Sequence, residues 1–192
     1  MPASLLAQIG ITPAQLANAP AELRLRVVDF LIRWESFAEA STCLALIDRS
    51  DAAGAIRTAR VWQGLGYSDQ AIQHLKTHLA GPHSQAVRRE LCRLYLAANS
   101  PSTAFDYAKE LTTGDAGVSP DWVLLADAFR RNNDSQAARQ ILLRQAKLAP
   151  RSRAPLLGLM RLYHDQHDDV VATAYAVQAM ETAKAGLEPR RR

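Results

Sequence analysis

The stretch SPDWVLLADAFRRNNDSQAARQILLRQAKLAP, from Ser119 to Pro150, decides the fold. Ser119 followed by Pro120 reads as a helix start: a hydroxyl cap, then a residue whose missing N–H would have had no helical partner. Trp122, Leu125, Ala126 and Phe129 then fall at i, i+3, i+4 and i+7, one face of a helix. Asn132-Asn133-Asp134-Ser135 interrupts that face with side chains that bond their own backbone and favour a turn. A second helical run carries Ala138, and Pro150 stops it. The stretch is therefore a helix, a turn and a helix.

The same pattern recurs in both directions. Tyr95, Phe129 and Tyr163 are spaced by 34 residues, as are Ala104, Ala138 and Ala172. Trp62 and Ala71 form an earlier pair, and Leu31 and Ala40 a divergent first one. Turn-forming residues separate each pair: Gly64-Leu65-Gly66, Asn99-Ser100-Pro101 and Asp165-Gln166-His167-Asp168. Leu156, Leu159, Met160 and Tyr163 repeat the apolar stripe of the 119–150 stretch. No segment alternates with the period of a strand between hairpin signals. The spacing predicts an all-α chain of about ten helices in five units, near 21–50, 52–82, 85–116, 119–151 and 153–186.

These residues resemble the tetratricopeptide repeat (TPR) family. Unit 119–151 matches its pattern at Trp122, Leu125, Ala126, Phe129, Ala138 and Pro150. Unit 52–82 matches at Trp62, Gly66, Ala71 and Leu75, and unit 153–186 at Leu156, Leu159, Tyr163, Ala172 and Ala179. Met160 and Gln145 stand where the family has smaller residues, and the first unit is recognised mainly from Phe37, Ala40 and Leu44. The resemblance implies a right-handed α-solenoid of about five TPR-like helix pairs over residues 21–186. Residues 1–20 lie outside it as an uncharged segment expected to form a short helix, and residues 187–192 form a basic tail.

Hydrophobic residues make up 48% and charged residues 22% of the 192-residue chain, which fits a folded domain and not a disordered one. No apolar run reaches the ~20 residues that span a bilayer. The uncharged start has no basic region, Gly10 breaks it, and Pro20 would follow the apparent cleavage site Ala17-Asn18-Ala19, so a cytoplasmic protein is expected rather than a secreted one. Two cysteines, Cys43 and Cys92, are too few for a disulfide framework and read as buried thiols. The net charge of +4 falls to +1 without Arg190-Arg191-Arg192, so the basic balance says little about nucleic acid.

The resemblance also implies a concave groove lined by the first helix of each unit. In register, that face carries Leu25, Ile56, Arg89, Val123 and Leu157, then Asp29, Arg60, Arg93, Asp127 and Arg161, and then Ile32, Gln63, Leu96, Arg130 and His164, with Arg131 beside the last row. Aliphatic side chains mixed with arginine suit a protein or peptide with acidic and apolar side chains. The alternative is a solvated face that binds nothing specific. The family's carboxylate clamp needs lysine and asparagine at set positions, and these are absent. Charge reversal at Arg60, Arg93 and Arg161 is expected to weaken binding with little effect on stability.

Catalysis is not expected. His74 and His78 have metal-ligand spacing but no glutamate between them, and His83 lies beyond a turn. The run from His164 to Asp169 is dense in polar residues but sits where a turn is due. No metal and no cofactor is expected. Arg60, Arg93 and Arg161 could trace a track for nucleic acid, but Asp29 and Asp127 interrupt it. Both ends are short of charge: residues 1–20 have none, and neither does Val170 to Met180, with Val170, Val171, Tyr175, Val177 and Met180 on more than one side of the last helix. Covered ends would make an interface with a second copy or another subunit. Otherwise residues 1–20 fold back and the last helix stays exposed. The expected function is an adaptor or chaperone holding a protein segment. The alternatives are a subunit of a larger assembly, of the secretion type, working through its ends, and a nucleic-acid-binding repeat.

Overall fold

The computed structural model describes residues 5–80, 83–113, 117 and 119–187, and among these every element is a helix. Two short helices come first, α1 (Leu5–Gln8) and α2 (Pro13–Ala17). Helix pairs follow: α3 (Ala21–Arg33) with α4 (Phe37–Cys43), α5 (Ala52–Gly64) with α6 (Ser68–Lys76), α7 (Ser84–Ala97) with α8 (Pro101–Thr112), α9 (Pro120–Arg131) with α10 (Ser135–Leu148), and α11 (Ala154–Asp165) with α12 (Asp169–Leu187). A 3₁₀ turn at Leu44–Leu46 extends α4.

The turn inside each pair is built the same way. The amide of Ser36 donates to the carbonyl of Leu31 at 2.9 Å, Tyr67 to Trp62 at 2.8 Å, Ser100 to Tyr95 at 2.8 Å, Asp134 to Phe129 at 2.9 Å and Asp168 to Tyr163 at 2.9 Å. The residue before each donor is left-handed: Glu35, Gly66, Asn99, Asn133 and His167, with φ between 55° and 88°. This is the Schellman closure, which satisfies carbonyls that the helix end leaves open. The repeat aromatics, and Leu31 in the first pair, thus mark the last turn of each first helix, and the turn residues behind them supply the left-handed step. Glycine takes that step without strain only at Gly66.

Helix starts follow the sequence signals. The Ser119 hydroxyl accepts from the Asp121 amide, with Pro120 at the first helical position. Asp134 caps α10 through the Ala137 amide at 3.0 Å. The repeat alanines Ala40, Ala71, Ala104 and Ala138 are wholly buried and Ala172 nearly so, which lets paired helices approach closely. At Gly64 the approach is extreme: a β-carbon there would lie 2.3 Å from the Phe37 ring.

The chain divides into two compact units, Met1–Leu94 and Tyr95–Arg192, with the division inside α7. The first unit has a core of Val27, Val28 and Leu31 from α3, Ala40, Cys43 and Leu44 from the second helix, and Val61 from α5. Leu6 and Leu16 belong to that core, and Glu39 of α4 accepts from the amides of Leu5 and Leu6 at 2.7 and 3.0 Å. Of the two readings of the uncharged N-terminus, an interface or a fold-back, the described residues favour the fold-back: Leu6 of α1 and Leu16 of α2 complete the apolar face of the first pair. In the second unit Ala126, Ala138, Leu142, Leu159 and Leu162 form a core, flanked by Phe129, Ile141, Tyr163 and Tyr175. Cys43 and Cys92 are buried thiols, and burial pushes Cys43 up. The tail beyond Leu187 lies outside the described residues.

Candidate partner-binding face

In the first unit, the face assigned to partner binding is carried by α3, α5 and α7. Leu25, Ile56 and Arg89 are half-buried. Arg57, one residue beyond Ile56, holds Asp29 in a two-pronged pair at 2.8 and 2.9 Å. Arg60 makes the same kind of pair with Glu90, 2.8 Å on each prong, and Arg93 reaches the same carboxylate at 3.1 Å. Glu90 is 4% exposed. Burial pushes its carboxyl up, but the two guanidiniums overrule burial and hold it below the usual value. Ile32, Arg60, Gln63, Glu90 and Arg93 line an open cavity of about 650 Å³. Leu25 lines another of about 490 Å³ with Arg24, Leu46 and Asp48.

In the second unit the face is carried by α9 and α11. Val123 is turned toward the core. The Arg130 side chain is only 13% exposed, held by Asp127 on its own helix and Asp165 at the end of α11. It braces two helices and has little surface left for a partner. Arg131 donates to the Leu96 carbonyl at 3.2 Å and lies 3.7 Å from Asp127. Leu157 is half-buried, while Arg161 is exposed and has no ion pair among the described residues. The arginines expected to be loose surface donors are thus of two kinds. Arg60, Arg93 and Arg130 are tied into the structure, and Arg161 is not.

The last helix separates the residues of its uncharged run. Tyr175 stacks on Tyr163 of α11, with ring centres 5.7 Å apart. Val171 is half-buried, whereas Val170, Val177 and Met180 are 83%, 42% and 59% exposed on the far side. No arrangement for metal emerges at the histidines. The His74 and His78 rings meet edge to face at 5.1 Å, and His74 also lies 5.3 Å from Trp62. Burial, then His78 and Arg49, pushes His74 down. His164 lies 3.2 Å from Asp169 on the surface. Among the described residues no group of three or more His, Cys, Asp or Glu side chains converges on a cation position.

Sequence reasoning passed over Glu90 and read Asp165 only as a turn residue, yet these carboxylates fix Arg60, Arg93 and Arg130. A signal existed for Glu90, since Arg93 follows it at helical i, i+3 spacing. It also passed over Tyr107, the ring under Tyr95 at 5.7 Å, and it assigned Tyr175 to an end interface, where the ring instead packs on Tyr163.

Helix pairs that repeat at this spacing, each closed by the same turn and packed through buried alanines, make this chain a tetratricopeptide-type helical-repeat protein. No protein-family model matches the sequence, and neither does any curated protein. Solved structures do match. TTC0263, a thermophilic TPR protein of Thermus thermophilus, is similar at a TM-score of 0.74 and 18% identity, over 86% of this chain and 92% of that one. MamA, from residue 41 onward, of Desulfovibrio magneticus RS-1 is similar at a TM-score of 0.61 and 15% identity, over 88% and 97%. Among the described residues no helix is long and apolar enough to cross a membrane.

Proposed function

We propose that this chain is a non-catalytic protein-interaction module, an adaptor or chaperone of the cytoplasm, that holds a protein segment against the first helices of its repeats. The observation that carries this reading is the open cavity of about 650 Å³ whose wall includes Ile32 of α3, Arg60 and Gln63 of α5, and Glu90 and Arg93 of α7. It combines apolar wall and guanidinium, the combination that anchors protein partners. The partner expected there carries acidic and apolar side chains. A second reading is favoured by one further observation: Val170, Val177 and Met180 form an apolar surface on α12. On that reading the chain is an assembly subunit that meets a partner or a second copy through its last helix. Nucleic acid is the least supported class, because Asp29 and Asp127 interrupt the row of arginines and are themselves paired with Arg57 and Arg130.

Photo-crosslinking separates these readings. A photoreactive residue at Gln63 is expected to trap a protein partner from cell extract, and one at Val177 is not. Trapping through Val177 alone reverses the assignment in favour of the assembly subunit. Trapping of RNA or DNA at Gln63 overturns both.

A further inference from the structure

Glu90 is a charged side chain whose position core packing does not explain. It is buried, yet it forms part of the wall of an open cavity. Both of its oxygens are occupied: Oε1 accepts from Arg60 Nε, and Oε2 from Arg60 Nη2 and Arg93 Nη1. A guanidinium carries five N–H donors, so each arginine keeps donors that Glu90 does not use. Both side chains are about half exposed at the cavity. The two guanidiniums and the carboxylate together keep one unit of positive charge, which matches a single carboxylate better than a doubly charged phosphate. Around them, Ile32 and Phe37 supply apolar wall and Gln63 an amide. Phe37 can lie there because α5 has Gly64 beneath its ring, where a β-carbon would collide with it.

We propose that Glu90 presents Arg60 and Arg93 as a paired receptor for one carboxylate of an acidic peptide segment, with an aliphatic neighbour of that carboxylate lodged against Ile32 and Phe37. This rests on the interaction-module reading and gives it a subsite. Glu90 is a positioning residue. It holds the two planar forks at fixed angles, so their outward donors are already oriented when the ligand arrives. Lysine cannot substitute for such a fork, because its ammonium is a point charge without a planar set of donors.

The test is fluorescence anisotropy on the full chain with short labelled peptides containing a Leu-Glu pair, and matched peptides with Leu-Gln. The Leu-Glu peptides are expected to bind, and the Leu-Gln peptides about tenfold more weakly or less. Glu90→Gln distinguishes positioning from simple attraction. It removes a negative charge beside the ligand, so attraction alone predicts tighter binding, whereas lost positioning predicts binding about tenfold weaker. Arg93→Lys keeps the charge at a half-exposed site and is expected to weaken binding to a similar degree. It decides the matter if Glu90→Gln fails to fold. Tighter binding by folded Glu90→Gln, or unchanged binding by Arg93→Lys, overturns the subsite and leaves the interaction-module reading standing. If none of the peptides binds saturably, the subsite and the acidic-segment reading fail together, and the crosslinking at Gln63 then stands alone as the test of the module.

Discussion

A carboxylate as buried as Glu90 stays ionised only while guanidiniums face it, and this makes the arginines of one face unequal. Arg60→Glu would set a second carboxylate against Glu90 with Arg93 as the lone counter-charge, and it is expected to destabilise the fold by about 2 kcal/mol or more. Arg161→Glu touches no ion pair and is expected to shift stability by no more than about 0.5 kcal/mol. Thermal melts of the two variants check this, and equal melting points would show that the Arg60 pair contributes nothing. The expectation that charge reversal spares stability is therefore kept as a prediction for Arg161 and withdrawn for Arg60. The sign of the pH effect follows. The carboxyl of Glu90 is held below its ordinary value of 4.5, so its contribution is intact above about pH 4.5 and is lost as the pH falls through the folded-state value. His74 acts in the same direction at higher pH. Its imidazole is held below 6.5, so the unfolded chain takes up the proton first and stability declines as the pH falls below about 6.5.

Among the elements, α12 offers the sharpest contrast, because residues two positions apart face opposite ways. Tyr175 packs its ring on Tyr163, while Val177 is on the exposed side. Tyr175→Lys removes the stacked ring and brings an ammonium against α11, with an expected loss of about 2 kcal/mol. Val177→Lys is expected to leave the melting point nearly unchanged, and light scattering on that variant reports whether the exposed apolar side mediates association. A drop in melting point for Val177→Lys alone would reverse the assignment of the two sides. This split was not legible in the sequence, since an uncharged helix shows no polar side by which to orient it. The repeat itself was legible. Aromatic and alanine positions at constant spacing located the helix pairs, and the Gly, Asn and Asp clusters located their turns. The first turn was the hard one, because Glu35 takes the left-handed position that the later pairs give to glycine, asparagine or histidine. The availability of the face arginines could not be read either. Arg60 and Glu90 are 30 residues apart, and which carboxylate meets which guanidinium is fixed by helix packing and not by local spacing.

At the scale of the whole chain, the N-terminal segment tests whether stability is local, as a repeat protein requires. Leu6 and Leu16 are buried with Val28 and Leu31, and Glu39 closes the start of α1 through both carboxylate oxygens. Deleting residues 1–20 uncovers that apolar face. Losing two buried leucines costs the first unit about 4 kcal/mol, at roughly 2 kcal/mol each. In a repeat array each helix pair depends on its neighbours, so such a loss is felt nearby and fades with distance along the chain. The core of Ala126, Ala138, Leu142, Leu159 and Leu162 contains no residue from the first unit. Hydrogen exchange on the deleted protein is therefore expected to show weakened protection in α3, α4 and α5, with α9 to α12 close to wild type, and the thermal transition should shift down and broaden. Protection lost evenly from α3 to α12 would mean that the chain unfolds as one cooperative body, against the nearest-neighbour logic of the repeat. Protection lost nowhere would mean that Leu6 and Leu16 cover a face that is stable without them, and that the uncharged segment serves some purpose other than closing the first pair.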